Sequence, residues 1–95
     1  MNKKEIINFL KFQKEFLKRE FFIEKIGLFG SFSREENHSK SDIDLVIVTS
    51  KKSFRNRYRL KKYLEEKLKR KVDIGYYDSL REFIKDSIKD EIIYV

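Results

Sequence analysis

The sequence predicts an α/β domain in which a small mixed β-sheet is flanked by helices. Three observations carry that expectation. Helical periods alternate with short β-prone runs along the whole chain, the alternation that lays helices on a sheet. One run, Asp42 to Val48, is apolar on both alternating faces from Ile43 on, with Ile43, Leu45 and Ile47 on one side and Val46 and Val48 on the other. Such a strand is central and covered on both sides. Finally, a length of 95 residues holds one core, and a thin one, since a chain this short buries only roughly 60–65% of its unfolded surface. Residues 1–95 therefore read as a single domain.

The elements follow in order. Asn2 followed by Glu5 is a capping box, and it opens a helix from about Lys3 to Arg19 with Ile6, Phe9, Leu10, Phe12, Phe16 and Leu17 on its apolar side. Ile26 to Phe29 is a short strand that ends at Gly30. Residues 30–41 are a polar connection whose first residues start a short helix. The central strand Asp42–Val48 leads to a second long helix, Ser53 to Arg70, striped by Phe54, Tyr58, Leu60, Leu64 and Leu68. Val72 to Tyr76 is a third strand, with Tyr76 and Tyr77 alternating in and out at its end. Ser79 to Glu82 reads as a second capping box, opening a helix that turns Leu80, Phe83, Ile84 and Ile88 inward. Ile92 to Val95 is a β-prone tail suited to an edge strand.

Composition narrows the chemistry. The chain has no Cys and a single His, His38, so disulfides, thiolate metal sites and His-based zinc sites are excluded, and any metal must be held by oxygen. The N-terminal apolar residues are broken by Lys and Glu. That pattern suits neither a signal peptide nor a membrane span, and the expected location is cytoplasmic. The net charge is +7, a balance that attracts anions. Lys51 to Lys71 holds eleven basic and two acidic residues, or +9, so the rest of the chain is slightly negative. This segment suits an acidic partner surface, a nucleic acid, or a solvated helix face. Arg57 and Lys61 fall within its apolar stripe, which favours a partner or a nucleotide.

The chemistry centres on Asp42, Asp44 and Asp73. Residues two apart on a strand point to one face, so Asp42 and Asp44 sit side by side and repel. Mg²⁺ relieves that repulsion, because it binds through one or two carboxylates plus substrate phosphates. Asp73 lies inside an apolar strand, where a lone carboxylate is costly. Placed beside the central strand it joins the other two, and three carboxylates around one point suit two-metal phosphoryl or nucleotidyl transfer. Gly30 permits a tight turn, and with the Ser31 hydroxyl it can hold a phosphate. Arg34 is a candidate phosphate contact. His38 reads as a solvated loop residue.

Gly30-Ser31, ten residues, then Asp42-x-Asp44 resembles the GS-X10-DXD signature of minimal nucleotidyltransferases, members of the DNA polymerase β-like superfamily. Gly30 to Arg34 resembles the family's GSxAR, Ser41 to Leu45 its SDIDL, and Lys71 to Ile74 the strand that supplies the third carboxylate. The resemblance implies the polymerase β-like core and an ATP–Mg²⁺ site holding two ions. It implies that Asp42, Asp44 and Asp73 are the metal-binding and catalytic residues, and that Gly30, Ser31 and Arg34 bind the nucleotide. Members of this size resemble the antitoxin half of HEPN/MNT toxin–antitoxin pairs. The implied reaction moves AMP from ATP to a hydroxyl, a tyrosine's, of a HEPN ribonuclease toxin, with which the chain forms a hetero-oligomer. Two positions depart from the pattern. Ser33 replaces the usual Ala, a near-isosteric change, and Glu35 replaces a Gly, adding negative charge and losing easy access to positive φ. A rival reading is an antitoxin that only binds its toxin, and the intact carboxylates favour the enzyme. A nucleic-acid-binding module ranks lower, since no aromatic-plus-basic recognition motif accompanies the charge.

Overall fold

The structure, a computed structural model, describes residues 1–95 apart from the side chain of Phe83. The chain runs α1 (Lys3–Phe21), β1 (Ile23–Phe29), α2 (Gly30–Ser33), β2 (Ile43–Thr49), α3 (Phe54–Leu68), β3 (Val72–Tyr76), a single 3₁₀ turn (Tyr77–Ser79), α4 (Glu82–Ile88) and β4 (Ile93–Tyr94). The four strands form one mixed sheet in the order β3-β2-β1-β4. β1 pairs antiparallel with β2 and with β4, while β2 and β3 run parallel. The run that is apolar on both faces is indeed central, and the β-prone tail is an edge strand.

α1 starts where the capping box puts it: the Glu5 N–H donates to Asn2 Oδ1 (2.9 Å) and the Asn2 N–H to Glu5 Oε1 (3.0 Å). It runs two residues beyond the expected Arg19 and stops at Phe22, whose φ of 58° is left-handed. β1 likewise begins three residues earlier than Ile26. Ile6, Leu10, Leu17 and Phe21 of α1 bury against the sheet together with Leu60, Leu64 and Leu68 of α3. They meet Ile26 and Leu28 of β1, Ile43, Leu45 and Ile47 of β2, and Val72 and Ile74 of β3.

Three expected core residues point to water. Phe12 is 86% exposed, Phe54 77% and Tyr58 50%. At about 100° per residue, Phe12 lies about 160° around the helix from Leu10, and Tyr58 as far from Leu60. The inward place that Phe54 and Tyr58 were expected to share goes to Asn56, which is buried and whose Nδ2 donates to the Phe21 carbonyl (2.8 Å). The second capping box does not form. Ser79 ends the 3₁₀ turn, Arg81 occupies the N-cap without a side-chain bond, and Leu80, Ile84 and Ile88 are only half-buried. The inward placement of Phe83 lies outside the described residues. Tyr76 and Tyr77 do not alternate: both are half-buried, because the chain turns after Tyr76.

Candidate active site

The site forms at one end of the sheet, where β1 finishes and β2 and β3 begin. The β1–β2 register sets Phe29 opposite Asp44, and the parallel β2–β3 register sets Asp44 opposite Asp73. Paired residues on adjacent strands share a face, so the two carboxylates lie next to each other. Their neighbours Ile43, Leu45, Val72 and Ile74 are buried on the opposite face. Asp42 stands just ahead of β2, exposed. Arg70 fixes its approach, donating to the carbonyls of Ser39 (3.1 Å) and Ser41 (3.0 Å) while lying over the Phe32 ring.

Gly30 closes the arrangement from the other side. Its φ is +77°, and a Cβ there would run into Asp44 Oδ2. Glycine is required both by the backbone and by the close approach of the carboxylate to the turn. Ser31 follows, half-buried, at the second position of α2. The sequence thus places Gly30, Ser31, Asp42, Asp44 and Asp73 together, and the fold brings them to one corner.

The electrostatics follow from that crowding. The Asp44 carboxyl is pushed up from 3.8 to about 6, chiefly by burial, then by Asp73 and Asp42, with Arg34 opposing and Glu91 adding. Among the described residues, none of the three aspartates is engaged by a Lys or Arg ion pair. Nor do three His, Cys, Asp or Glu side chains among them converge closely enough to cage an ion alone. An open set of oxygen donors fits Mg²⁺, which keeps waters and takes phosphate oxygens as ligands.

One participant escapes sequence reasoning. Glu91, between α4 and β4, accepts the Gly30 N–H on Oε2 (2.7 Å) and pairs with Arg34 Nη1 (3.0 Å). Arg34 also reaches Glu36 (3.3 Å). The Ser33 hydroxyl donates to the Glu91 carbonyl, so the serine at this position adds an anchor that alanine could not. Glu35 takes up a left-handed φ of 60°, the conformation for which a glycine would be expected. His38 shapes the loop, accepting the Lys40 N–H on Nδ1 (3.2 Å).

The comparisons with known proteins agree with this fold. The model of the nucleotidyltransferase domain family matches residues 5–95. Over 92 residues the chain is 33% identical to the protein adenylyltransferase MntA of Thermococcus cleftensis, covering 96% of this chain and 93% of that one. Among solved structures, a candidate minimal nucleotidyltransferase aligns with a TM-score of 0.83 at 24% identity, over 98% of this chain and 95% of the other. A toxin–antitoxin crystal structure with AMP-PNP aligns with a TM-score of 0.65 at 26% identity, over 88% of this chain and 64% of its counterpart.

Proposed function

The chain belongs to the nucleotidyltransferase domain family, and from that premise we propose that it is an antitoxin that adenylylates its toxin. It moves AMP from ATP to a hydroxyl, a tyrosine's, of a partner HEPN ribonuclease, and this silences the partner. The observation that carries the reading is the corner where Asp44 meets both Asp73 and the Gly30-Ser31 turn. The similarity to a protein adenylyltransferase over almost the full length supports AMP as the transferred group. The similarity to a toxin–antitoxin chain with AMP-PNP supports ATP as the donor and a toxin as the partner.

The roles follow from position. Gly30, Ser31 and Arg34 receive the triphosphate at the end of β1. Asp42 and Asp44 are placed to hold Mg²⁺, and Asp73 to hold a second ion or to take the acceptor proton. Bound there with nucleotide, Mg²⁺ would stabilise charge on the attacking and leaving oxygens. The acceptor oxygen attacks the α-phosphorus, the bond to the bridging oxygen breaks, and pyrophosphate leaves. The surface beyond Asp73 is open, so a polypeptide can present its hydroxyl there, and the two proteins form a hetero-oligomer. Among the described residues no helix is long and apolar enough to cross a membrane, and the proposed setting is the cytoplasm.

Intact mass of a HEPN partner after incubation with ATP and Mg²⁺ tests this. The native chain should add AMP, and Asp42→Asn or Asp44→Asn should reduce transfer by at least about a hundredfold, since each removes a ligand charge from the metal site. Asp73→Asn should harm transfer more than ATP binding. If the variants silence the partner as well as the native chain with no mass change, stoichiometric binding replaces the enzyme.

A further inference from the structure

Beside Asp73, α3 turns toward water the aromatic residues that its sequence pattern assigns to the core. The Phe54 and Tyr58 rings lie stacked, 6.4 Å apart and within 12° of parallel. With Arg57, Lys61, Asp73 and Ile74 they line a cavity of about 170 Å³, room for several waters or one side chain. A wider hollow, lined by Lys61, Lys62, Asp42 and Asp73 among others, adjoins it. Arg57 is committed to the fold, donating to the Ile74 carbonyl (3.0 Å) and lying over the Tyr76 ring. Lys61 and Lys62 are exposed, and among the described residues neither meets a carboxylate.

We propose that this face of α3 docks the acceptor protein, through an acidic segment that carries the hydroxyl to be modified. The proposal rests on the adenylyltransferase reading and adds to it the recognition surface and the chemistry of the segment recognised. Stacked aromatic rings give contact area at little entropic cost, having few rotatable bonds. The pair stands within one cavity of Asp73, so a segment seated on it delivers a side chain to the reacting corner. The lysines rim the hollow that Asp42 and Asp73 also line, where they meet carboxylates on either side of the acceptor residue. A nucleic acid fits the aromatic-plus-basic surface less well. Its continuous phosphate chain would pass the carboxylates of Asp42, Asp73 and Glu65, which line the same hollow. A peptide can place its charges only where the lysines stand.

Fluorescence anisotropy on the full chain tests this with labelled peptides. Each carries one central Tyr flanked by Glu, by Ser or by Lys, and a U-rich RNA of matched length is the fourth probe. The Glu-flanked peptide should bind about tenfold more tightly than the Ser-flanked one and lose that advantage as salt is raised. Phe54→Ser and Lys61→Glu should each weaken it at least about fivefold, with Lys61→Gln intermediate, as expected of an aromatic anchor and a steering charge. Both positions are at the surface, and an unchanged thermal midpoint should accompany each variant. Equal binding of the Glu- and Ser-flanked peptides, tighter binding of the RNA, or indifference to Lys61→Glu would overturn the proposal. Calorimetry with Mg²⁺ and AMP-PNP on the same variants separates the two readings. Nucleotide binding without peptide selectivity sinks only the docking face, whereas loss of nucleotide binding by the native chain sinks the enzyme.

Discussion

Asp44 sits where burial, Asp73 and Asp42 all disfavour its charge, and its carboxyl titrates near 6 rather than 3.8. The sign of the consequence is fixed. Between those values the folded chain holds a proton that the unfolded chain has lost, so stability falls as pH rises through the window. In chelator at pH 7.5, Asp44→Asn should therefore stabilise the protein by on the order of 1 kcal/mol, a figure discounted for solvent screening. The gain should vanish near pH 4, and thermal melts at the two pH values check it. Glu91 makes a second test. Its carboxylate neutralises Arg34 and holds the Gly30 N–H, the groups proposed to meet phosphate. Glu91→Gln keeps an acceptor for the amide and leaves the guanidinium with Glu36 as its one carboxylate partner among the described residues, so calorimetry should show ATP binding tightened about three- to tenfold, with no gain in an Arg34→Ala background. The three aspartates and the Gly-Ser turn were legible because their spacing is local and their chemistry unusual. Glu91 was not, because its partner Gly30 is 61 residues away and one Glu in a charged tail carries no local signal.

At the scale of elements, the period of the helices located them and misjudged parts of their faces. The helical spacing of apolar residues puts Phe54, Tyr58 and Phe12 inward, and all three are exposed. Which arc is buried depends on the sheet, and Asn56, a polar residue, turned inward because the end of α1 offers it the Phe21 carbonyl. The Ser79–Glu82 pattern failed for a related reason: the chain is still turning after β3 and spends Ser79 on the 3₁₀ turn. β3 illustrates what pairing adds. It is an edge strand, and α3 covers part of its open side, with Glu65 Oε2 accepting the Val72 N–H (3.0 Å) and Arg57 donating to the Ile74 carbonyl. Glu65→Ala leaves a part-buried amide without its partner and should cost about 1–3 kcal/mol. Urea unfolding measures the loss, and faster amide exchange at Val72 would locate it.

The whole molecule is small, with a Cα radius of gyration of 12.5 Å, and one sheet shares its main core with α1 and α3. The α/β class and the central strand were legible from alternation and from a strand apolar on both faces. The antiparallel β1–β2 pairing was not, because the polar connection between them leaves the direction of the second strand open. A thin core makes single residues expensive. Leu28 is fully buried on β1, and Leu28→Ala should cost about 2–5 kcal/mol. That is a large share of the roughly 5–14 kcal/mol expected of a chain this long, and the denaturant midpoint should fall accordingly. The same smallness leaves both sheet margins near the surface, where an open strand can recruit another copy and seed a cross-β polymer. Here one margin is a two-residue strand and the other has two backbone groups held by Glu65 and Arg57. The side chains that keep β3 in place therefore also protect the folded protein from templated aggregation, a hazard that any redesign of the α3 surface would have to respect.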